Sequence, residues 1–276
     1  MTNMAVEMWA GVAGQWGDQA EEIDERGAAI TETMLARTAP APGERVLELA
    51  CGPGGAGLAA AALVGDSGEA TLSDAVPAMV AIAAARAADR GLGNVRTAVL
   101  DLDQIDRPDG SYDVVLCREG LMFAVEPAGA VREIHRVLRP GGRVAVAVWG
   151  PRAQNPWLAL VLDAVGAELG MPVPPPGIPG PFSLDDRDGL ATLLAGAGLA
   201  DVVVEDVAVP LRSPSFEAWW TRTTALAGPL AAIVAGLPDA TRAALADRLR
   251  AALIPYTSPA GVELPGLAVV ASGRRP

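Results

Sequence analysis

Residues 46–57, VLELACGPGGAG, constrain the fold of this chain more than any other stretch. The first five residues are apolar apart from one glutamate, which is typical of a parallel strand covered on both faces. Gly52, Gly54 and Gly57 follow at G-x-G-x-x-G spacing, which allows a tight turn and lets a ligand approach the backbone. The N–H groups of the helix that comes next point at that turn. The stretch therefore predicts a strand–turn–helix unit with a ligand at the turn.

Glycines at this spacing fit a dinucleotide site, an S-adenosylmethionine site or a close-packed turn without a ligand. Asp74 does not discriminate, because dinucleotide folds keep a ribose-binding acid at this distance. Glu48 does, because a carboxylate inside a buried strand is costly unless it meets a cation or hydrogen-bond donors. A pyrophosphate would be repelled by it, whereas the ammonium group of a methionine moiety would be attracted. A structural glutamate satisfied by backbone donors is the alternative.

Composition excludes several kinds of chemistry. The chain has 276 residues, 51% hydrophobic and 20% charged, which supports a sizeable core in one large or two small α/β domains. The formal charge of -12 disfavours nucleic acid as a partner. All 21 basic residues are arginines, which excludes a Schiff-base lysine and a Walker lysine.

Metal and membrane sites are not expected either. Cys51 and Cys117 lack metal-ligand spacing, and His135 is the only histidine, so we expect no metal site and no Ser-His-Asp triad. Both cysteines are predicted to be free thiols at the ends of neighbouring strands. No secretory leader and no long apolar segment is visible, which predicts a soluble, cytoplasmic protein with no membrane partner.

Strand and helix patterns alternate between residues 44 and 150, which predicts a doubly wound parallel sheet. Ligands of such sheets lie beyond the carboxyl ends of the strands. Glu48, Asp74, Asp101 and Cys117 all fall at or near those ends. These strand-end residues are more specific than the glycines alone.

Three segments are distinguished. Residues 1–38 are predicted to be a helical flap with a solvated acidic face made of Asp18, Glu21, Glu22, Asp24 and Glu25. Residues 39–276 form the main domain, which ends in a strand at about 264–272. Helices over about 211–258 are predicted to be a cap that covers the carboxyl edge.

Five motifs lie in order between residues 46 and 142: VLELACGPGG at 46–55, LSD at 72–74 with Met79, LDL at 100–102, YDVV at 112–115 and RVLRPGG at 136–142. In these motifs the chain resembles the class I S-adenosylmethionine-dependent methyltransferases, and among them the ubiquinone/menaquinone-biosynthesis group. The resemblance implies a Rossmann-like three-layer αβα sandwich with a mostly parallel seven-stranded sheet. It also implies that the last strand is antiparallel and lies between the fifth and the sixth.

The resemblance also implies roles for residues that would bind S-adenosylmethionine. Glu48 and the glycine turn would hold the methionine moiety, Asp74 the ribose hydroxyls, and Asp101 with the Leu102 N–H the adenine. The full implied set is Glu48, Ala50, Cys51, Gly52, Gly54, Asp74, Ala75, Met79, Asp101, Leu102, Cys117 and Arg118.

The implied reaction is in-line methyl transfer to a small, largely apolar molecule, such as a quinone precursor or a secondary metabolite. A nucleic-acid or protein methyltransferase is an alternative, as is a protein that binds S-adenosylmethionine without transfer. Glu119 is the candidate general base, with a salt bridge or backbone cap as its structural alternative. His135 lies on the apolar stripe of its helix and is expected to be structural.

The substrate partner is predicted to be a small molecule in an apolar pocket, and the oligomeric state is left open, with a homodimer as one arrangement. Several large apolar side chains are candidates for that pocket, although the same residues could form the core of the cap. They are Trp16, Met122, Phe123, Trp149, Trp157, Trp219 and Trp220.

Overall fold

The computed structural model describes residues 3–276, which fold around one central sheet. Alternating apolar runs and turns divide the chain into strands, each named here with its bounds. The strands are β1 Arg45–Glu48, β2 Glu69–Asp74, β3 Val95–Val99, β4 Tyr112–Arg118, β5 Leu138–Trp149, β6 Ala200–Ala208, β7 Leu211–Ser213, β8 Thr257–Ser258, β9 Gly261–Leu264 and β10 Leu267–Arg274.

Within the described residues, seven strands form the main sheet in the order β3-β2-β1-β4-β5-β10-β6. The pairs among β1 to β5 are parallel, and β10 runs antiparallel between β5 and β6. The predicted sheet and the predicted place of the last strand are confirmed. Because chain order reverses at β1 and β4, the carboxyl ends of these two strands flank the crevice where ligands of such sheets bind.

Helices cover both faces of the sheet and also precede it. They are α1 Asn3–Ala10, α2 Ala13–Asp18, α3 Ala20–Arg26, α4 Ala28–Thr38, α5 Gly55–Val64, α6 Pro77–Asp89, α7 Pro127–Val137, α8 Pro156–Leu169, α9 Arg187–Gly196, α10 Phe216–Leu226, α11 Pro229–Gly236 and α12 Asp239–Ala252. Helices α4 and α5 contact each other on one face, and α7 and α9 contact each other on the other face.

The central strands are buried on both faces, which explains their continuous apolar sequences. Six successive residues of β4, from Tyr112 to Cys117, are buried, as expected for a strand that helices cover on both faces. Ile30 and Met34 of α4 have no exposed surface and belong to the same core. Helix α4 is therefore part of the main core, although it precedes the first strand.

The structure differs from the sequence-based prediction beyond residue 137. Strand β5 begins at Leu138 and includes residues 140–142 of the RVLRPGG motif. Helix α8 was not predicted, nor was the small sheet β7-β9-β8. Within the predicted helical cap, α10 and α11 are separated at Ala227 and Gly228, where Gly228 has a φ of 51°.

Arg143 joins the end of α4 to the sheet. Its guanidinium donates to the carbonyl groups of Thr38 and Ala39, each at 2.8 Å, and to both carboxylate oxygens of Glu44 at 2.7 and 2.8 Å. The Arg143 side chain is 23% exposed and that of Glu44 15%. This bidentate pair is thus shielded more than a surface ion pair.

We expect Arg143→Met to lower the free energy of unfolding by about 1–3 kcal/mol, because several charge-assisted hydrogen bonds are lost together. Urea unfolding measures this. Arg212→Met is the matched control: Arg212 also pairs with a glutamate, Glu263, but is 71% exposed, so its loss should cost less than about 0.5 kcal/mol. Equal effects of the two changes would contradict the expectation.

Candidate active site at the carboxyl edge of the sheet

The carboxyl ends of β1, β2 and β4 bring the predicted residues together. Glu48 ends β1, where it lies opposite Leu72 of β2 and Leu116 of β4. Asp74 ends β2, and Cys117 precedes the last residue of β4. Two carboxylates and the glycine turn thus meet at one end of three adjacent strands.

Glu48 is 1% exposed, and its carboxylate faces the start of α5. Its Oε2 accepts the Gly57 N–H at 2.8 Å. Burial raises the pKa of Glu48 to about 7, and the charge of Arg118 opposes that rise. A Cβ on Gly57 would lie 2.4 Å from the same Oε2. The third glycine of the motif is therefore needed for close packing between the carboxylate and the helix.

Asp74 shapes the glycine turn. Its Oδ2 accepts the Gly52 N–H and its Oδ1 accepts the Val76 N–H, both at 2.9 Å. Burial raises the pKa of Asp74, while these backbone donors oppose the rise. Each carboxylate oxygen has a second lone pair, so both can still accept from hydroxyl groups of a ligand.

Gly120 was missed by the sequence analysis. A Cβ there would lie 2.4 Å from the Ala50 Cβ and 3.0 Å from the Cys117 Sγ. The loop after β4 can approach the loop after β1 only without a side chain at this position. The sequence signal is weak, because one glycine after a strand is common.

Of the residues that the resemblance assigns to adenine, Met79 lies beside the N-terminal helices, whereas Leu102 belongs to the main core. Met79, 3% exposed, packs with Val76 and Ala13, and Trp9 and Trp16 pack against the same cluster. Leu102 is buried, whereas Ala75 and Asp101 remain partly exposed, and the Asp101 Oδ1 accepts the Asp103 N–H at 3.0 Å.

Asp24 fastens α3 to the glycine turn. It pairs with Arg86 at 2.6 Å and with Arg118 at 3.4 Å. Arg86 also donates to the Pro53 carbonyl at 2.7 Å, and Arg118 to Thr31 Oγ1 at 2.8 Å. The predicted solvated acidic face is therefore wrong for Asp24, which is only 20% exposed. It holds for Glu21, which is 75% exposed although it pairs with Arg86.

Trp16 lies over the turn itself. Its ring is 3.8 Å from the position of a Cβ on Gly52, and its Nε1 donates to the Leu226 carbonyl at 3.0 Å. Trp9 contacts the Trp16 ring with a centroid separation of 5.8 Å and the Phe123 ring at 5.3 Å. Helices α1 and α2 therefore meet the end of α10 above the carboxyl edge.

Glu119 follows β4 at the same edge. Its φ of 58° is unusual for a residue with a side chain, and its N–H donates to the Ala147 carbonyl at 2.8 Å. Burial raises the pKa of Glu119, and the nearby charges of Arg118 and Arg26 oppose that rise. A strained backbone and a buried carboxyl at the ligand end of the sheet are typical of functional positions.

Arg26 was also missed. Its guanidinium lies 3.9 Å from the Trp157 ring centroid and 5.0 Å from that of Trp149. The two rings meet edge to face with centroids 4.9 Å apart, and both side chains are under 10% exposed. Nothing in the local sequence distinguishes Arg26 from a surface arginine, because its neighbours are polar.

The remaining candidate residues for the apolar pocket lie in two places, near the carboxyl edge and within the cap. Met122 is buried, and Phe123 contacts Trp9 at the edge. Trp219 has no exposed surface and packs with Trp220 and Phe216 within the cap.

His135 does not lie at the edge. Its Nε2 is 3.4 Å from the position of a Cβ on Gly198, the residue that follows α9 by two. Burial and the charge of Arg275 lower its pKa. This packing is that of a structural histidine.

Cys51 and Cys117 are buried free thiols, and burial raises the pKa of Cys117 to about 12. In residues 3–276 no group of three or more His, Cys, Asp or Glu side chains has the arrangement of a metal site. None of the helices described here combines the length and apolarity needed to cross a bilayer.

Residues 46–142 match the family model of a methyltransferase domain. The curated relatives include a ubiquinone/menaquinone biosynthesis C-methyltransferase of Azotobacter vinelandii, 38% identical over 123 residues, which are 44% of this chain and 48% of that protein. A protein of the same name from Teredinibacter turnerae is 35% identical over the same length. The chain therefore matches about half the length of these relatives.

Solved structures match more of the chain. A putative methyltransferase from Bacillus halodurans has a TM-score of 0.61 at 18% identity, with 89% of this chain and 98% of that chain covered. The [4+2]-cyclase SpnF has a TM-score of 0.53 at 26% identity, with 90% and 80% covered. The similarity to the Bacillus halodurans protein, at 18% identity, shows only a shared fold.

The unusual pKa of Glu48 predicts a pH-dependent stability. A carboxyl whose pKa is about 7 when folded, against an ordinary value of 4.5, binds its proton more tightly in the folded protein than in the unfolded chain. The wild type should therefore lose about 3 kcal/mol relative to Glu48→Gln as the pH rises from about 4.5 to above 7. Urea unfolding of the ligand-free proteins across this range measures the difference.

Glutamine keeps an acceptor for the Gly57 N–H, so this change isolates the charge. Glu32→Gln, an exposed site on α4, controls for the loss of one carboxylate. A difference between wild type and Glu48→Gln that does not vary with pH would contradict the prediction.

Proposed function

We propose that this chain, which carries a methyltransferase domain over residues 46–142, transfers the methyl group of S-adenosylmethionine to a small, largely apolar molecule. The observation that carries the proposal is the meeting of Glu48, Asp74 and the glycine turn at the carboxyl ends of adjacent strands. A quinone precursor is the favoured acceptor, because the curated relatives are named for quinone biosynthesis.

The polar groups at the carboxyl edge match the chemical groups of S-adenosylmethionine. Glu48 uses Oε2 for the Gly57 N–H, and its second carboxylate oxygen is suited to an ammonium group. Asp74 keeps a lone pair on each oxygen and would accept from both ribose hydroxyls. Asp101 and the Leu102 N–H would bind the adenine, between Ala75 and Met79. The loops that hold Ala50, Cys51 and Cys117 would contribute backbone groups.

When bound, the sulfonium supplies a methyl group that is already activated for in-line displacement. The residues of the chain would then act mainly by position, which can supply ~7–11 kcal/mol in well-aligned reactions. Trp9, Trp16 and Phe123 cover the edge and would exclude water from the site.

Glu119 is the proposed general base for an acceptor that carries a proton. Burial raises its pKa, which makes the carboxylate a stronger proton acceptor. Among residues 3–276 its neighbour Arg118 pairs with Asp24 rather than with Glu119, which argues against a salt bridge as the role of Glu119.

A second candidate is a protein that uses the same fold for a reaction other than methyl transfer. The similarity to the [4+2]-cyclase, at 26% identity over 90% of this chain, supports this second candidate. A nucleic-acid methyltransferase is disfavoured by the formal charge of -12. A labelled methyl donor offered with a panel of phenols, quinols and carboxylic acids separates transfer from its absence.

S-adenosylhomocysteine should raise the melting temperature of the protein, and NADH should not. Asp74→Ala should remove most of that shift while the ligand-free protein stays folded. Asp66→Ala, at an exposed position between α5 and β2, is the control and should keep the full shift. A shift with NADH and none with S-adenosylhomocysteine would overturn the proposed donor.

Trp16→Ala should lower turnover while the affinity for S-adenosylhomocysteine changes by less than about tenfold, or 1.4 kcal/mol. Trp16 is expected to cover the reacting groups rather than to bind the donor. His135→Gln should keep turnover within a few-fold, since His135 packs against Gly198. Loss of activity in His135→Gln but not in Trp16→Ala would reverse these assignments.

A further inference from the structure

Arg26 makes no hydrogen bond or salt bridge with residues 3–276, although the charge of Glu119 lies close enough to interact with it. Its Nε and Nη2 atoms are buried and make no hydrogen bond with residues 3–276. Burial lowers its pKa to about 10, so the guanidinium still carries its proton at neutral pH. Arg222, whose like charge also acts on Arg26, has its own carboxylate partner in Glu22.

The two unpartnered atoms lie on the same edge of the guanidinium plane. Trp157 and Trp149 contact the guanidinium as cation–π partners, which leaves the in-plane N–H groups without compensation. Parallel N–H groups on Nε and Nη2 match the two oxygens of a planar carboxylate. A buried charge of this kind is normally paired.

The position of Arg26 separates it from the donor site. Its partner Trp149 ends β5, whereas the glycine turn follows β1, and β4 lies between these strands. Two strand spacings amount to about 10 Å. Arg118 rather than Arg26 approaches the turn, since its Nη2 is 2.7 Å from the position of a Cβ on Gly55.

We propose that Arg26 is a specificity residue which binds a carboxylate of the acceptor, so that the acceptor is a flat, carboxylate-bearing molecule rather than a neutral one. This inference depends on the proposed function only in treating the bound carboxylate as the methyl acceptor. Trp149 and Trp157 form the apolar wall of the same subsite, and Glu119 lies near enough for the Arg26 charge to lower its pKa.

Matched pairs of a carboxylate and its amide test the proposal. The probes are benzoate with benzamide, 4-hydroxybenzoate with 4-hydroxybenzamide, and indole-3-acetate with indole-3-acetamide. Calorimetric titration of the whole chain, with and without saturating S-adenosylhomocysteine, measures each affinity. We expect at least one carboxylate to bind wild type tenfold or more tightly than its amide, and Arg26→Met to reduce that preference to twofold or less.

Arg250→Met is the control, since Arg250 also lies over an aromatic ring, that of Phe216, but is half exposed and paired with Asp247. It should keep the full preference. Arg26→Lys, which keeps the charge but not the two parallel donors, should show an intermediate preference and serves if the methionine variant does not fold. The melting temperature of ligand-free Arg26→Met should not fall, because a buried charge without a hydrogen-bonded partner is removed.

The proposal is overturned if no carboxylate is preferred by wild type, or if the preference survives in Arg26→Met. It is also overturned if Arg26→Met weakens S-adenosylhomocysteine more than tenfold without changing the preference, because Arg26 would then hold the carboxylate of the donor. If S-adenosylhomocysteine does not bind but the preference for carboxylates is intact, the proposed function is rejected and the anion subsite is still supported.

Discussion

The hydrogen bond between the Glu48 carboxylate and the Gly57 N–H is the constraint on which the ligand edge depends. A carboxylate at the start of α5 interacts favourably with the positive end of the helix dipole, which offsets part of the cost of its burial. That arrangement requires glycine at position 57 and holds the start of the helix close to the end of β1. The turn in between must then be tight, and Gly52 and Gly54 adopt positive φ values of 51° and 90° to make it so.

The N-terminal helices are attached to this edge by contacts of different kinds. Helices α1 and α2 share a small apolar cluster with Met79 that is separate from the main core, whereas Ile30 and Met34 of α4 belong to that core. Helix α3 is held chiefly through Asp24. Polar contacts and a small cluster can open at lower cost than a core helix. We therefore propose that the predicted flap ends near Arg26 rather than at residue 38.

The features that could be predicted from the sequence are those with a signal in neighbouring residues. The apolar strands, the glycine turn and the strand-end acids Glu48 and Asp74 are each visible within a few residues. Their convergence follows from the rule that parallel strands end at the same edge. Arg26, Asp24 and Gly120 could not be found in this way, because each acquires its meaning from contacts with residues remote in sequence. Asp24 looked like part of a solvated face, although its partner Arg86 lies 62 positions away.

Two carboxylates and one guanidinium lie on opposite sides of β4 at the carboxyl edge. Glu48 and Asp74 lie towards the glycine turn, and Arg26 lies against Trp149 beyond it. The net charge of -12 would repel a small anion at long range, but salt screens that field within about 8 Å. A buried guanidinium acts within this distance and in a less polar medium, where its attraction is stronger. This arrangement supports the proposed binding of a cationic group on one side and an anionic group on the other, despite the acidity of the chain as a whole.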